Sequence, residues 1–196
     1  APVSQQARLP ARRAGAVGVH AIVDFDTATA DVVVKQTATA LQIAGGNNQT
    51  GGTHQFLTVP LSVRVVDGAT YPMSGVSVTF TVTAGGGSVS GASPTTGANG
   101  HAAVGSWTLG TLAGANTVRG VSTPDTLVGS PVNFSATGTP GPVSAAQSVV
   151  TLSGSSVQSG STVSALAILK DQYGNRVDVG GGSVAFTQAG GTSTGN

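Results

Sequence analysis

Cysteine is absent from this 196-residue chain, so neither a disulfide framework nor a thiolate metal site can be built from it. Glutamate is absent too. The seven acids are all aspartates, scattered along the chain, and they offer no pair of carboxylates placed for acid–base chemistry. Charged residues make up only 8% and the net charge is +1, too weak a field to recruit nucleic acid or an acidic partner. No run of 18 apolar residues occurs, which excludes a spanning helix. No apolar signal core precedes the first segment, and the expectation is an exported chain seen after signal removal.

What is present is 30 glycines among many Ser, Thr, Ala and Val. That mixture suits β-branched strands joined by glycine turns and offers little helix-forming surface. The clearest strand signals lie in residues 60–87. Leu61, Val63 and Val65 alternate with Ser62 and Arg64, and Val76, Val78, Phe80 and Val82 alternate with Ser77, Thr79, Thr81 and Thr83. A period of two puts one face of each strand in a core and the other in water. With the Asp/Gly/Pro-containing turn at 67–75 between them, the two strands read as a hairpin-like unit of an antiparallel sandwich.

Upstream, residues 16–25 and 31–41 are β-like, and residues 45–52 read as a polar surface loop unable to hold strand pairing. Downstream, Asn99-Gly100 signals a tight turn, after which Ala103, Trp107 and Leu109 can share a core face. Residues 116–121 and 132–136 supply closing strands, the latter with Val132, Phe134 and Ala136 on one face. About seven strands between 40 and 137 is the signature of a sandwich of about 100 residues. Residues 137–142, Thr-Gly-Thr-Pro-Gly-Pro, form a linker by composition. The pattern then restarts: residues 165–171 can be laid on 61–67, and 183–187 on 77–81, an internal repeat of one sandwich length. The expected division is an N-terminal arm with one or two extra strands (1–39), a sandwich (40–138), a Pro/Gly linker (139–147) and an incomplete second sandwich (148–196).

The order and spacing of several runs resemble the bacterial Ig-like domain of the intimin and invasin type. They are Gly46-Asn47-Asn48-Gln49-Thr50-Gly51, the strands at 60–67 and 75–80, Gly85-Gly86-Gly87-Ser88-Val89, Trp107-Thr108-Leu109-Gly110, Gly114-Ala115-Asn116-Thr117-Val118 and residues 132–138. In the second copy, Asp171-Gln172-Tyr173-Gly174-Asn175-Arg176-Val177 is similar to the D-x-x-G-N-x-V turn of the same superfamily, whereas the first copy reads Asp67-Gly68-Ala69-Thr70-Tyr71-Pro72 and lacks the Gly-Asn pair. Residues 1–39 lie outside the likeness. The resemblance implies an all-β chain of tandem immunoglobulin-like antiparallel β-sandwiches, used as a spacer or adhesive module in envelope and surface proteins, with no catalytic residues and no cofactor.

Candidate sites are few. His20, His54 and His101 sit in different segments without ligand-spaced partners. Asp24, Asp26 and Asp31 lack the glycine and terminal Glu of a Ca²⁺ loop and read as hairpin-tip acids. The glycine triplets at 85–87 and 180–182 lack any phosphate-loop context. Trp107 reads as core, and Tyr71 and Tyr173 fall in corresponding turns of the two copies. Arg8, Arg12 and Arg13 form a basic arm, either a solvated tail or a contact with a protein partner or an anionic lipid surface. The expected function is therefore a non-enzymatic structural or adhesive module, exported to the periplasm or cell surface, with a protein partner, no nucleic acid, and at most peripheral membrane contact. The alternatives are an accessory subunit docked through its N-terminal arm on the periplasmic face of a large respiratory or photosynthetic membrane complex, or a strand-exchanged filament subunit.

Overall fold

The computed structural model describes residues 15–23, 26–178 and 184–187 of the chain. Two strands, β1 (Gly15–Val23) and β2 (Asp26–Val34), form an antiparallel hairpin that pairs with no other strand among the described residues. Nine strands follow: β3 (Ala38–Gly45), β4 (Gln49–Gly52), β5 (Ser62–Asp67), β6 (Ser77–Ala84), β7 (Ser88–Ser90), β8 (His101–Ala103), β9 (Ser106–Thr108), β10 (Gly114–Thr123) and β11 (Val132–Thr139). The last two, β12 (Val149–Leu152) and β13 (Ala165–Ile168), pair only with each other. Residues 184–187 carry no strand.

β3 to β11 build an Ig-like sandwich. One sheet has the order β3-β5-β8, the other β4-β11-β10-β6, and β7-β9 adds a short third ladder. Every buried apolar side chain of the described residues belongs to this unit, from Leu41 to Ala136. From the first sheet come Leu41, Val63, Val65 and Ala102; from the second come Val78, Phe80, Val118, Phe134 and Ala136. Trp107 and Leu109 are fully enclosed, and the rings of Phe80 and Phe134 meet at 5.8 Å across the β6 and β11 side of the core. Each such side chain contributes about 1.5–3 kcal/mol on burial, so the unit closes without disulfide or metal.

Several expectations are corrected by this arrangement. β5 and β6 do not form a hairpin: they lie in opposite sheets. Alternation shows that each strand has one buried face, and two strands facing each other across a core satisfy it as well as two paired neighbours. Nine strands are present rather than seven, because three-residue strands carry too little pattern to be seen. On β8 it is Ala102 that is buried, with Ala103 exposed. The presumed polar loop contains β4, which pairs in parallel with β11, Gln49 opposite Ala136 through Gly52 opposite Thr139.

Polar residues make that parallel edge possible. The chain leaves the first sheet at Gly45 and enters the second at Gln49, and this crossing is held by side chains. Asn47 Oδ1 accepts from the Ser135 amide at 2.8 Å, and Asn48 donates its amide to the Ser135 carbonyl. The Gln49 amide group bonds the Gly46 and Val59 carbonyls and accepts from the Val59 N–H. A Cβ at Gly51 would come within 2.7 Å of a Leu57 methyl, so a larger residue there would require the Leu57 side chain to shift.

Candidate interdomain interface

The turn that follows β13 gathers a buried carboxylate and its hydrogen-bond donors. Strand β13 leads into Asp171, the most enclosed acid among the described residues, whose carboxylate is fully buried. One oxygen, Oδ1, accepts from the Tyr173 and Asn175 amides, both at 2.9 Å. The other, Oδ2, accepts from the Gly141 amide at 2.9 Å, the Asn175 side-chain amide at 2.8 Å and the Thr53 hydroxyl at 3.4 Å. Burial by itself would raise the pKa of this carboxyl. The bonds from Asn175, Gly141 and Tyr173 outweigh it and hold the pKa at about 2, down from 3.8.

These donors come from three stretches of the chain. Tyr173 and Asn175 belong to the turn itself, Gly141 to the segment entering β12, and Thr53 to the end of β4 in the sandwich. Asn175 extends the bridge: its Oδ1 accepts from the Ala113 amide at 2.8 Å and its Nδ2 donates to the Thr111 carbonyl at 2.8 Å. Both groups lie in the loop between β9 and β10. Beside them the rings of His54 and Tyr173 meet at 5.6 Å, tilted by 57°. Main-chain polar groups at the sandwich end are thus paired by the Asn175 side chain of the turn after β13 rather than left to water.

The turn itself is a local solution. The Asp171 amide donates to the Asn175 carbonyl, the Gly174 amide donates back to the Asp171 carbonyl, and the Val177 amide reaches the Leu169 carbonyl. Gly174 takes φ +84°, a conformation that glycine adopts at no steric cost.

The turn at Asp67 has the same bonds. Its Oδ1 accepts from the Ala69 and Tyr71 amides at 2.9 Å, its amide donates to the Tyr71 carbonyl, Thr70 donates to the Asp67 carbonyl, and Met73 donates to the Val65 carbonyl. The first copy keeps this turn without the Gly-Asn pair, with Thr70 at φ +68° in the position of Gly174. Asp67 Oδ2 accepts from the Gln36 side-chain amide at 2.9 Å. That bond, helped by the Tyr71 and Ala69 amides and opposed by desolvation, lowers its pKa from 3.8.

Next to the Asp171 joint lies an open hollow of about 600 Å³, bordered by His54, Thr111, Leu112 and the glycines at 85–87. No acid lines it. Among the described residues no group of three His, Asp or Glu side chains could hold a metal, and no helix is long and apolar enough to cross a membrane. Arg8, Arg12, Arg13, Asp24 and the glycines at 180–182 lie outside the described residues, so the basic-arm expectation has no structural counterpart here. Of the expected candidates, His54 and Tyr173 meet at the joint, whereas His101 stands apart on β8. Sequence reasoning missed Thr53, Thr111, Ala113 and Gly141. The D-x-x-G-N run was the available signal, and it marks the turn without naming what its side chains reach.

No protein-family model matches the chain, and no curated protein matches it in sequence. Solved structures do. Invasin, described as a bacterial integrin-binding protein, superposes with a TM-score of 0.59 at 18% identity over 85% of this chain and 34% of its own. Yersinia pseudotuberculosis InvD gives 0.54 at 16% identity over 84% of this chain and 52% of its own. FdeC, an Escherichia coli adhesin, gives 0.50 at 19% identity over 82% and 52%. The chain therefore spans about a third to a half of the length of these proteins. Identities this low speak to the fold, and the fold they share with this chain is the bacterial Ig-like sandwich of the invasin type.

Proposed function

We propose that this chain is a non-catalytic spacer and display module of an exported bacterial surface or envelope protein, in which Ig-like units are held end to end at a fixed angle. The observation that carries this reading is the joint at Asp171. A buried carboxylate collects donors from both sides of the boundary, and Asn175 crosses it to pair two main-chain groups of the sandwich. Units that merely followed one another on a flexible tether would have no use for these bonds. The likeness to invasin, InvD and FdeC supports surface location and an adhesive context, with a protein as partner.

The test is a measurement of joint stiffness. The chain has no cysteine, so spin labels can be placed at Thr81→Cys on β6 and Thr151→Cys on β12 without interference. A single narrow distance distribution, broadened by Asn175→Ala, is expected. A broad distribution in the unsubstituted chain would overturn the reading.

A further inference from the structure

The Asp171 joint has a counterpart at the other end of the sandwich. At the Asp171 joint an antiparallel hairpin, β10–β11, ends at Thr139; two residues on, Gly141 donates its amide to Asp171 Oδ2 at 2.9 Å; and four residues on, Val143 bridges Asp171. At the N-terminal side an antiparallel hairpin, β1–β2, ends at Val34; two residues on, Gln36 donates its side-chain amide to Asp67 Oδ2 at 2.9 Å; and four residues on, Ala38 pairs with Asp67. The spacing, the acceptor atom and the turn bonds after each aspartate coincide. The sequence agrees at the hairpin starts, where Ala14-Gly15-Ala16 matches Ala113-Gly114-Ala115.

A hairpin that stands to Asp67 as β10–β11 stands to Asp171 occupies the place of the closing hairpin of a sandwich. We propose that the Asp67 turn and residues 35–37 are a second interdomain seat, whose occupant is a further Ig-like unit of this type closed by β1–β2. This inference rests on the reading of the Asp171 turn as a stiffening joint. The difference between the two seats that bears on stiffness is at the fourth residue after the aspartate. Tyr71 stands where Asn175 bridges to Thr111 and Ala113, so the Asp67 seat lacks the side-chain amide that pairs a carbonyl and an N–H of the neighbouring unit at once. The N-terminal joint is the softer of the two.

The sandwich closes its own core within residues 38–139, so it can serve as the probe occupant. Residues 38–139 joined directly to residues 35–139 place one sandwich on the Asp67 seat of another, with β10–β11 in the position of β1–β2. Labels at Thr81→Cys in both copies then report the joint by pulsed spin resonance. The expected result is a distribution narrower than that of the same pair joined by a Gly/Ser linker. Asp67→Ala in the second copy should abolish that difference, and Tyr71→Asn in the second copy should narrow the distribution further. A width equal to the Gly/Ser control, or one indifferent to Asp67→Ala, would overturn the proposal. The full chain labelled across the Asp171 joint keeps the two ideas apart: if that joint is narrow and the pair is broad, only the second seat fails, and if both are broad the spacer reading fails with it.

Discussion

The turns at Asp67 and Asp171 make the same bonds on strands of different standing. Behind Asp67, Val63 and Val65 are sealed in a closed core; behind Asp171, the corresponding Ala167 and Leu169 are only half buried, and Leu166 on the same strand is 60% exposed. The turn geometry survives that difference. An aspartate accepting from the amides two and four residues on is a self-contained Asx-type device. Its internal bonds form whether the strand before it is sealed in a core or half buried.

The strongest way to break the comparison is to remove the core behind one turn only. Trp107→Ala empties the centre of the sandwich and should destabilise it by about 3–5 kcal/mol. Hydrogen exchange should then lose protection at the Ala69 and Tyr71 amides far more than at Tyr173 and Asn175. Equal loss at both turns would show that the second turn borrows its order from the sandwich.

Next in size is Asn175→Ala. It deletes the two bonds that cross to Thr111 and Ala113 and the side-chain bond to Asp171 Oδ2, worth about 1–3 kcal/mol together. A lower melting temperature for the 148–178 region and unchanged melting of the sandwich are expected by calorimetry. Tyr71→Ala, at the matching position of the first turn, should leave the label distances across the Asp171 joint untouched.

Exchanging the residues at the left-handed position sharpens the comparison further. Gly174→Thr should cost roughly 1 kcal/mol, because a β-branched side chain is strained at φ +84°. Thr70→Gly, at φ +68°, should stabilise the first turn by less than that, part of the relieved strain being returned as unfolded-chain entropy. Urea midpoints of the two single variants and the double variant, set against the unsubstituted chain, measure both.

The mildest perturbation is acid. Both carboxyls have folded pKa values below 3.8, so the unfolded chain binds these protons more tightly than the folded one. Their contribution is complete above that value and is lost as pH falls through the folded pKa, for Asp171 down to about 2. Label distances across the Asp171 joint should therefore stay constant from neutrality to about pH 4 and broaden below it. Broadening near neutrality would point to a different group.

Much of this was readable in the residues and some was not, for definite reasons. Alternation at 61–66, 76–82 and 132–136 identified buried faces correctly, since period two is imposed by the strand itself. It could not say that β5 and β6 face each other across the core, because pairing partners are chosen by tertiary packing. β4 was hidden because Gln49-Thr50-Gly51-Gly52 has no apolar alternation; its pairing rests on main-chain bonds to β11 and on the Gln49 side chain. The repeat from 61–67 to 165–171 located Asp171 by its partner Asp67, yet nothing in the spacing revealed that Asn175 would reach a loop sixty residues upstream.

One feature of the edge acquires meaning once the chain is imagined under tension. The polypeptide enters the sandwich at the head of β3 and leaves at the foot of β11, and β4 runs parallel to β11 from Gln49–Ala136 to Gly52–Thr139. A pull on the two ends drags these strands past each other along their length. Their main-chain bonds are then loaded in shear, all together, instead of opening one at a time like a zip, so the glycine-rich stretch with the weakest strand signal is where the module resists force.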